Sequence, residues 1–226
     1  MYIIVRAKNG VAASDRLDQL LKSPIFTGTG RTPYAYAKSR VVAIFGDVSK
    51  ERLGLKDDDW STLVNEVNVV FNSAATIRFN NPVGIALGIN CLSTMSILQL
   101  CRQAKQLSSF VHVSTCYTHC QLSTIDEKFY PTIVTAEHLI EMTKWLPSDK
   151  LDKLCKDHLF DGRPNSYVFT KALAENYLND YGQGLPIAVG RLSIVGGSRR
   201  EPELGFIDVA QANVFIAFTQ ALGALR

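Results

Sequence analysis

Short apolar runs alternate along the chain with longer segments in which apolar residues recur every three or four positions. The runs, rich in β-branched residues, predict strands at residues 2–5, 40–45, 67–72, 109–114 and 185–192. The periodic segments predict helices at residues 14–23, 56–67, 81–106 and 166–182, the last ending at Gly182. This alternation is typical of parallel β/α units, so we expect an α/β fold in which a doubly wound parallel sheet carries helices on both faces.

Composition sets the class of protein. The 226 residues are 46% hydrophobic and 20% charged, which predicts one globular domain over residues 1–226. The formal net charge is only +3 and the basic residues form no run, so we do not expect a nucleic-acid partner. The five cysteines form no C-x-x-C and no signal sequence opens the chain, which favours a reducing, intracellular compartment.

No stretch has the roughly 18 uninterrupted apolar residues of a transmembrane helix. The nearest candidate, residues 210–225, is interrupted by Gln211, Asn213 and Gln220. We therefore predict that this segment is a buried or partner-facing helix.

Small and hydrogen-bonding residues follow the predicted strands, where a parallel sheet binds its ligand. Asp47 follows the second strand, Ala74 and Ala75 follow the third, Ser114 and Thr115 end the fourth, and Arg191 lies in the fifth. A cofactor ring and ribose need such close backbone approach and a few polar anchors. The sequence therefore predicts a small-molecule site at this edge.

Two Tyr-x-x-x-Lys pairs occur, Tyr34 with Lys38 and Tyr167 with Lys171. Residues four apart share a helix face, but this spacing alone is also found in ordinary solvated helices. Only the second pair comes after a strand ending in candidate hydroxyls, Thr115 or, less favoured, Ser114. We predict that the lysine ammonium lowers the pKa of Tyr167, which then donates and accepts a proton while the hydroxyl orients a carbonyl.

The ordered motifs "VNVVFNSAATIRFN", "FVHVSTCYTHC", "IDEKFYP", "PNSYVFTKALAENYL" and "GRLSIVGGSRREPELGFID", with the opening "YIIVRAKNG", resemble the NADPH-binding domain of fatty acyl-CoA reductases. These belong to the extended short-chain dehydrogenases, with a Rossmann-like fold. The resemblance implies reduction of a long-chain acyl-CoA, through a bound aldehyde, to a fatty alcohol with two NADPH. It also implies a peroxisomal or endoplasmic reticulum membrane location, on the cytoplasmic face.

By the same resemblance, Tyr167 is the catalytic tyrosine, Lys171 also holds the nicotinamide ribose, and Thr115 is the strand-end hydroxyl. Asn90 matches an asparagine that supports the lysine through a water-linked relay. The cofactor-binding residues it implies are Arg6 against the 2'-phosphate, Asp47 near the adenine, and Ala74 and Ala75 along the cofactor.

Each of these positions also has a simpler interpretation. Arg6 is equally compatible with a surface arginine, Asn90 with an interior amide, and Asp47 with a cap on the turn before Ser49. His112 alternates with apolar neighbours and is expected to be structural.

A metal site is not expected. Cys116, His119 and Cys120 are three candidate zinc ligands without a fourth to close the site.

The sequence departs from the family in one important respect. The strand and T-G-x-x-G-x-x-G turn that seat the pyrophosphate are not in it, and "TGTG" at residues 27–30 follows no strand. The long C-terminal helical domain of the family is not in it either. We therefore expect an incomplete, shortened reductase domain that binds NADPH weakly and turns over negligibly. A catalytically silent binding protein with the reductase fold, or another extended short-chain dehydrogenase, are the alternatives.

Overall fold

The computed structural model describes residues 1–7, 10–23, 26, 34–200 and 203–207. It divides into two compact units, one of Met1–Phe45 with the segment from Ser193, and one of Gly46–Leu192. The predicted C-terminal helix at residues 210–225 and the "TGTG" segment lie outside the described residues.

The first unit contains a small parallel sheet. Strands β1 (Tyr2–Val5) and β2 (Val42–Phe45) pair in register from Tyr2 with Val42 to Val5 with Phe45. Helix α1 (Ala13–Leu21) buries Leu17 and Leu21, and helix α2 (Tyr34–Arg40) buries Ala37, together with half-buried residues of the two strands. Both strands confirm the prediction, whereas α2 was not predicted.

The second unit contains a larger parallel sheet of three strands, in the order β3, β4, β5. The strands are β3 (Val69–Asn72), β4 (Ser109–Thr115) and β5 (Ile187–Leu192). Their register aligns Asn72 with His112 and Ser114 with Arg191. All three strands confirm the prediction, and their polar residues collect at the carboxyl end, as predicted.

The helices that pack in this unit are listed here in chain order: α3 (Asp57–Glu66), α4 (Val83–Asn90), α5 (Leu92–Gln103), α6 (Ala136–Met142), α7 (Ser148–Leu154) and α8 (Ser166–Tyr181). Parallel strands alternating with helices make the fold Rossmann-like, as predicted. Among the described residues, β1 pairs only with β2 and β3 only with β4, so each has one edge without a described partner.

The core of the second unit lies around α8. Phe169, Leu173 and Ala174 of this helix pack with buried residues of α4, α6 and α7. Gly182 directly follows the end of α8, as predicted. A Cβ at this position would collide with the Leu178 carbonyl oxygen and with the Ile187 side chain, so the position requires glycine. Because α8 packs tightly through Phe169, Leu173 and Ala174, its buried side chains have fixed positions.

Among the described residues, one helical stretch, Val83–Gln103, is long and apolar enough to cross a membrane; it spans α4 and α5 and has 21 residues. Residues 210–225, the nearest candidate in the sequence, lie outside the described residues. Most of the apolar window of Val83–Gln103, 61%, is buried inside the protein. Packing against the other helices accounts for that composition, so it is weak evidence for a membrane span.

Candidate active site

The start of α8 is fixed by polar contacts that place Tyr167. The Asn165 side chain accepts a hydrogen bond from Val168 N at 3.0 Å, which caps the helix. Ser166 Oγ donates to Asn81 O at 2.7 Å and joins the helix to the segment before α4. Tyr167 follows, half-buried, with its ring centroid 5.6 Å from that of Phe79. The tyrosine is thereby held in one position at the carboxyl end of β4.

Tyr167 of α8 interacts with Thr115, the residue that ends β4. Burial raises the pKa of Tyr167 above its ordinary value of about 10, while the interaction with Thr115 partly opposes that change. The prediction of a lowered pKa was therefore wrong for this structure. A neutral phenol is the form that donates a proton.

Lys171 lies one turn further along α8 and is buried, with 3% of its surface exposed. Its Nζ donates to the carbonyl oxygen of Val113 at 2.7 Å. This direction of the ammonium is why Lys171 does not lower the Tyr167 pKa as predicted. Burial lowers the pKa of Lys171 to about 8, although Cys91 and Glu175 oppose the change.

Asn90 is buried at the junction of α4 and α5 and binds two other elements. Its Oδ1 accepts from Thr76 N at 2.9 Å, and its Nδ2 donates to Thr170 Oγ1 at 2.9 Å. Cys91 Sγ also donates to Thr170 O, at 3.2 Å. The two hydrogen bonds to Thr170, from Asn90 and from Cys91, hold α8 at the residue before Lys171. Asn90 is thus a satisfied interior amide, and its predicted water-linked relay to the lysine stays a prediction.

Ser114 and Thr115 have different partners, which separates the two hydroxyls proposed for the carbonyl. Ser114 Oγ donates to Glu175 Oε1 at 2.5 Å, whereas Thr115 contacts Tyr167. This geometry favours Thr115 as the residue beside the reacting group. Glu175 itself was not identified from the sequence, although its position one turn after Lys171 was a signal that it shares the same helix face.

His112 is buried beside this row of polar residues. Its Nδ1 accepts from Asn72 Nδ2 at 3.2 Å, and Asn72 also donates to Thr94 Oγ1 at the same length. Burial and the charge of Lys171 lower the pKa of His112 to about 3, so the ring stays neutral. This supports the structural role expected for His112.

The segment that suggested zinc has other partners. His119 is buried, and its Nδ1 accepts from Arg163 Nη2 at 3.3 Å. In the described part of the chain, no three His, Cys, Asp or Glu side chains gather as metal ligands.

The predicted cofactor residues lie in the segments that follow strands β1, β2 and β3. Ala74 and Ala75 come after β3, separated from it by Ser73, and are half-buried, whereas Arg6 directly follows β1 and is exposed. Asp47 Oδ1 accepts from Ser49 N at 2.9 Å and from Ser49 Oγ at 2.7 Å, so it forms the turn that was the simpler interpretation. No contact in the structure tests the cofactor roles of these four residues.

The domain is of the Rossmann-like class, with Tyr167 and Lys171 on α8 and Thr115 at the end of β4. A solved relative in fold is the terminal R domain from the myxalamid PKS-NRPS biosynthetic pathway. The two share 20% sequence identity with a TM-score of 0.60, over 88% of this chain and 43% of that one.

The chain belongs to an NAD-binding family described as male sterility protein, whose sequence profile matches residues 1–226. It is 36% identical to fatty acyl-CoA reductase 1 of Mus musculus over 92% of this chain. It is 35% identical to fatty acyl-CoA reductase wat of Drosophila melanogaster over the same share. The chain spans 40% of the length of each of these two relatives.

Proposed function

We propose that this protein reduces a long-chain fatty acyl-CoA to a fatty alcohol with NADPH, through a bound aldehyde. The observation that carries the proposal is the arrangement of α8 on β4. Tyr167 interacts with Thr115 at the end of β4, and Lys171 is held by the Val113 carbonyl. The names of the relatives, fatty acyl-CoA reductases in mouse and fly, supply the substrate class.

The residues near this arrangement fit a nicotinamide cofactor. Ala74 and Ala75 present only methyl groups at the end of β3, which allows close approach of a flat ring and ribose. Lys171 keeps further N–H donors besides the one given to Val113, and these suit ribose hydroxyls. When bound, NADPH supplies the hydride for each of the two reductions. In the other unit, Arg6 is the residue proposed for the 2'-phosphate.

The chain's own residues then supply the proton and the orientation. Tyr167, neutral because burial raises its pKa, donates its phenolic proton to the substrate carbonyl oxygen as negative charge develops there. Thr115 holds the same oxygen by a hydrogen bond. Lys171 is charged below a pKa of about 8, and its ammonium, held by the Val113 carbonyl, binds the ribose beside Tyr167.

The acyl thioester requires this proton delivery twice. In the first reduction Tyr167 protonates the carbonyl oxygen; when the C–S bond then breaks, this proton passes from the oxygen to the sulfur, so coenzyme A leaves as its thiol and the aldehyde stays beside Thr115. In the second, Tyr167 protonates the aldehyde oxygen, which gives the alcohol. Tyr167 must regain a proton between the two steps.

The experiment uses a chimera in which a strand and a T-G-x-x-G-x-x-G turn precede Met1. The chimera and the chain as it stands are incubated with NADPH and palmitoyl-CoA, and the fatty alcohol is measured by mass spectrometry. We expect more alcohol from the chimera than from residues 1–226 alone, because residues 1–226 contain no T-G-x-x-G-x-x-G turn to seat the pyrophosphate. A chimera that binds NADPH but reduces no acyl-CoA of any length would contradict the proposal and favour the silent binding protein.

Association with the cytoplasmic face of the peroxisomal or endoplasmic reticulum membrane is also part of the proposal. It rests on the resemblance to the family. Fluorescence microscopy of the tagged protein with markers for both organelles tests it, and a diffuse distribution would contradict it.

A further inference from the structure

Three of the motifs found in the sequence meet at one buried carboxylate. Glu175 comes from α8, and its side chain is 2% exposed. Its Oε2 accepts from Arg191 Nη2 of β5 at 2.7 Å and from Arg191 Nε at 3.1 Å. Its Oε1 accepts from Ser114 Oγ of β4 at 2.5 Å. Burial alone would raise the pKa of Glu175, but contacts with His119, Arg191 and Ser114 lower it to about 2, so this carboxylate is charged.

Arg191 uses its other N–H groups to hold a surface loop. Nη1 donates to Asp126 O at 3.1 Å, and Nη2 donates to Lys128 O at 2.8 Å. The guanidinium also lies 5.7 Å from the ring centroid of Tyr130, whose hydroxyl accepts from Asp126 N at 2.8 Å. These hydrogen bonds hold the "IDEKFYP" segment by its backbone carbonyls, because the planar guanidinium can donate to several acceptors at once.

The loop of residues 125–129 has few other anchors. Its residues are exposed except for half-buried Ile125. The position of this loop therefore depends on Arg191, and the orientation of Arg191 depends on Glu175. Because the loop carries no core residue, releasing it should leave the rest of the fold intact.

The same loop forms a wall of a cavity of about 640 Å³. The other walls are Cys116, which directly follows Thr115, and Ile187, Val189 and Arg191 of β5. The volume is within the range of small-molecule sites, about 300–1,000 Å³. Through Cys116 the cavity adjoins the end of β4 that carries the proposed reaction, and the rest of this wall follows β5 from Ile187 to Arg191.

We propose that Glu175 and Arg191 are positioning residues for the acyl substrate. By fixing the loop at residues 125–129, the pair shapes the cavity that receives the acyl thioester beside Thr115. Neither side chain touches the reacting atoms: Glu175 acts through Arg191 and Ser114. This inference rests on the proposed function for the identity of the substrate.

A buried ion pair alone is a poor source of stability, because desolvation of both charges opposes their attraction. The pair instead gives Arg191 a single orientation, from which two loop carbonyls are held. A role in fixing loop geometry explains why the guanidinium bridges a carboxylate and two backbone groups at once.

The test compares Arg191→Lys and Arg191→Gln with the wild-type chain by hydrogen–deuterium exchange and by calorimetric titration with dodecanoyl-CoA. Arg191→Lys keeps the charge beside Glu175 but cannot bridge both carbonyls. We expect exchange at residues 125–129 to rise about ten- to hundredfold in both variants, as loss of one or two charge-assisted hydrogen bonds predicts. We expect the Kd for dodecanoyl-CoA to rise by a similar factor, with exchange in α8 unchanged.

Arg102→Gln is the matched control, because Arg102 also donates to a backbone carbonyl, that of Tyr181, on a different part of the unit. It should change neither the loop nor the binding. Glu175→Gln, folded by circular dichroism, should reproduce the effect of Arg191→Gln.

Unchanged loop exchange, or a mobile loop with unchanged dodecanoyl-CoA affinity, would overturn the positioning role. Failure of the wild-type chain to bind dodecanoyl-CoA would overturn the proposed function and this inference with it. That result is recognised before any substitution is made, so the two failures are distinguishable.

Discussion

The two Tyr-x-x-x-Lys pairs have identical spacing and opposite surroundings. Lys38 is exposed, and its Nζ lies 3.2 Å from Tyr34 Oη and 3.1 Å from Asp18 Oδ2. Lys171 is buried and turns to a backbone carbonyl, while Tyr167 contacts a threonine. The pKa of Lys38 is raised by its hydrogen bonds with Tyr34 and Asp18, whereas burial lowers that of Lys171 to about 8.

This difference shows that the four-residue spacing does not determine the role of a Tyr-x-x-x-Lys pair. Four residues on a helix place two side chains on one face, but the solvent and the adjoining strand decide whether the pair is an ion-pair cluster or a proton-donor site. In the exposed pair, the Lys38 ammonium donates to the Tyr34 hydroxyl and to the Asp18 carboxylate. In the buried pair, each side chain is directed to a different group of β4.

The largest expected effect separates the two tyrosines. In the chimera, Tyr167→Phe should reduce acyl-CoA-dependent NADPH oxidation by about a hundred- to ten-thousandfold, the usual contribution of a general acid. Tyr34→Phe is the matched control and should retain turnover. NADPH affinity, measured by calorimetry, should stay nearly the same in both. Near-normal turnover by Tyr167→Phe would remove this residue from the mechanism.

The second effect is the pH dependence of stability. The folded-state pKa of Lys171, about 8, lies below its unfolded value of 10.5, so between these values the unfolded chain binds more protons. Stability from this group therefore rises with pH across that window. Relative to Lys171→Met, the wild-type chain should gain about 3 kcal/mol between pH 8 and pH 10.5, at ~1.4 kcal/mol per pH unit. Urea unfolding across this window measures it, and a flat difference would contradict the buried charge.

Lys38 should show the opposite sign. Its folded-state pKa is raised, so its contribution is present below 10.5 and is lost as the pH rises through the folded value. Because the pair is exposed, the contribution should be small. The urea midpoint of Lys38→Met should nearly equal that of the wild-type chain at pH 7. A large loss would show that this pair is more than a surface cluster.

Cofactor choice provides a further test in the unit that carries the exposed pair. Arg6→Ala in the chimera should weaken NADPH about ten- to hundredfold more than NADH, because only NADPH has a 2'-phosphate for the guanidinium to bind. Arg40→Ala, another exposed arginine of this unit, should not discriminate between the two. Calorimetric titration with each cofactor measures both variants. Equal losses for NADPH and NADH would make Arg6 a structural residue.

Much of the fold could be predicted because short runs of β-branched residues and long helices with apolar residues every three or four positions have strong signals in the sequence. The strands at Val69–Asn72 and Ser109–Thr115 are examples. The helices Ala136–Met142 and Ser148–Leu154 were missed, since seven residues each complete barely two turns of a pattern. The predicted helix at residues 81–106 is divided at Cys91, where α4 ends and α5 begins.

Within the site, the sequence identified Tyr167, Lys171 and Thr115 but not their electrostatics. The direction of the Lys171 ammonium depends on the Val113 carbonyl, which only the packing of α8 on β4 brings near. Glu175, and its contact with Arg191, were not predicted for a similar reason. Their contact requires the register that places Arg191 beside Ser114, and residue spacing does not reveal that register.

The central claim, that burial and not spacing distinguishes the two pairs, is tested most directly by measuring both lysine pKa values. The chain, labelled with ¹³C at lysine Cε, is titrated by NMR, with Lys171→Met and Lys38→Met used to assign the two signals. The account predicts that Lys171 titrates near pH 8 and Lys38 above 10.5. A Lys171 signal that titrates at or above 10.5, together with Lys38, would contradict it.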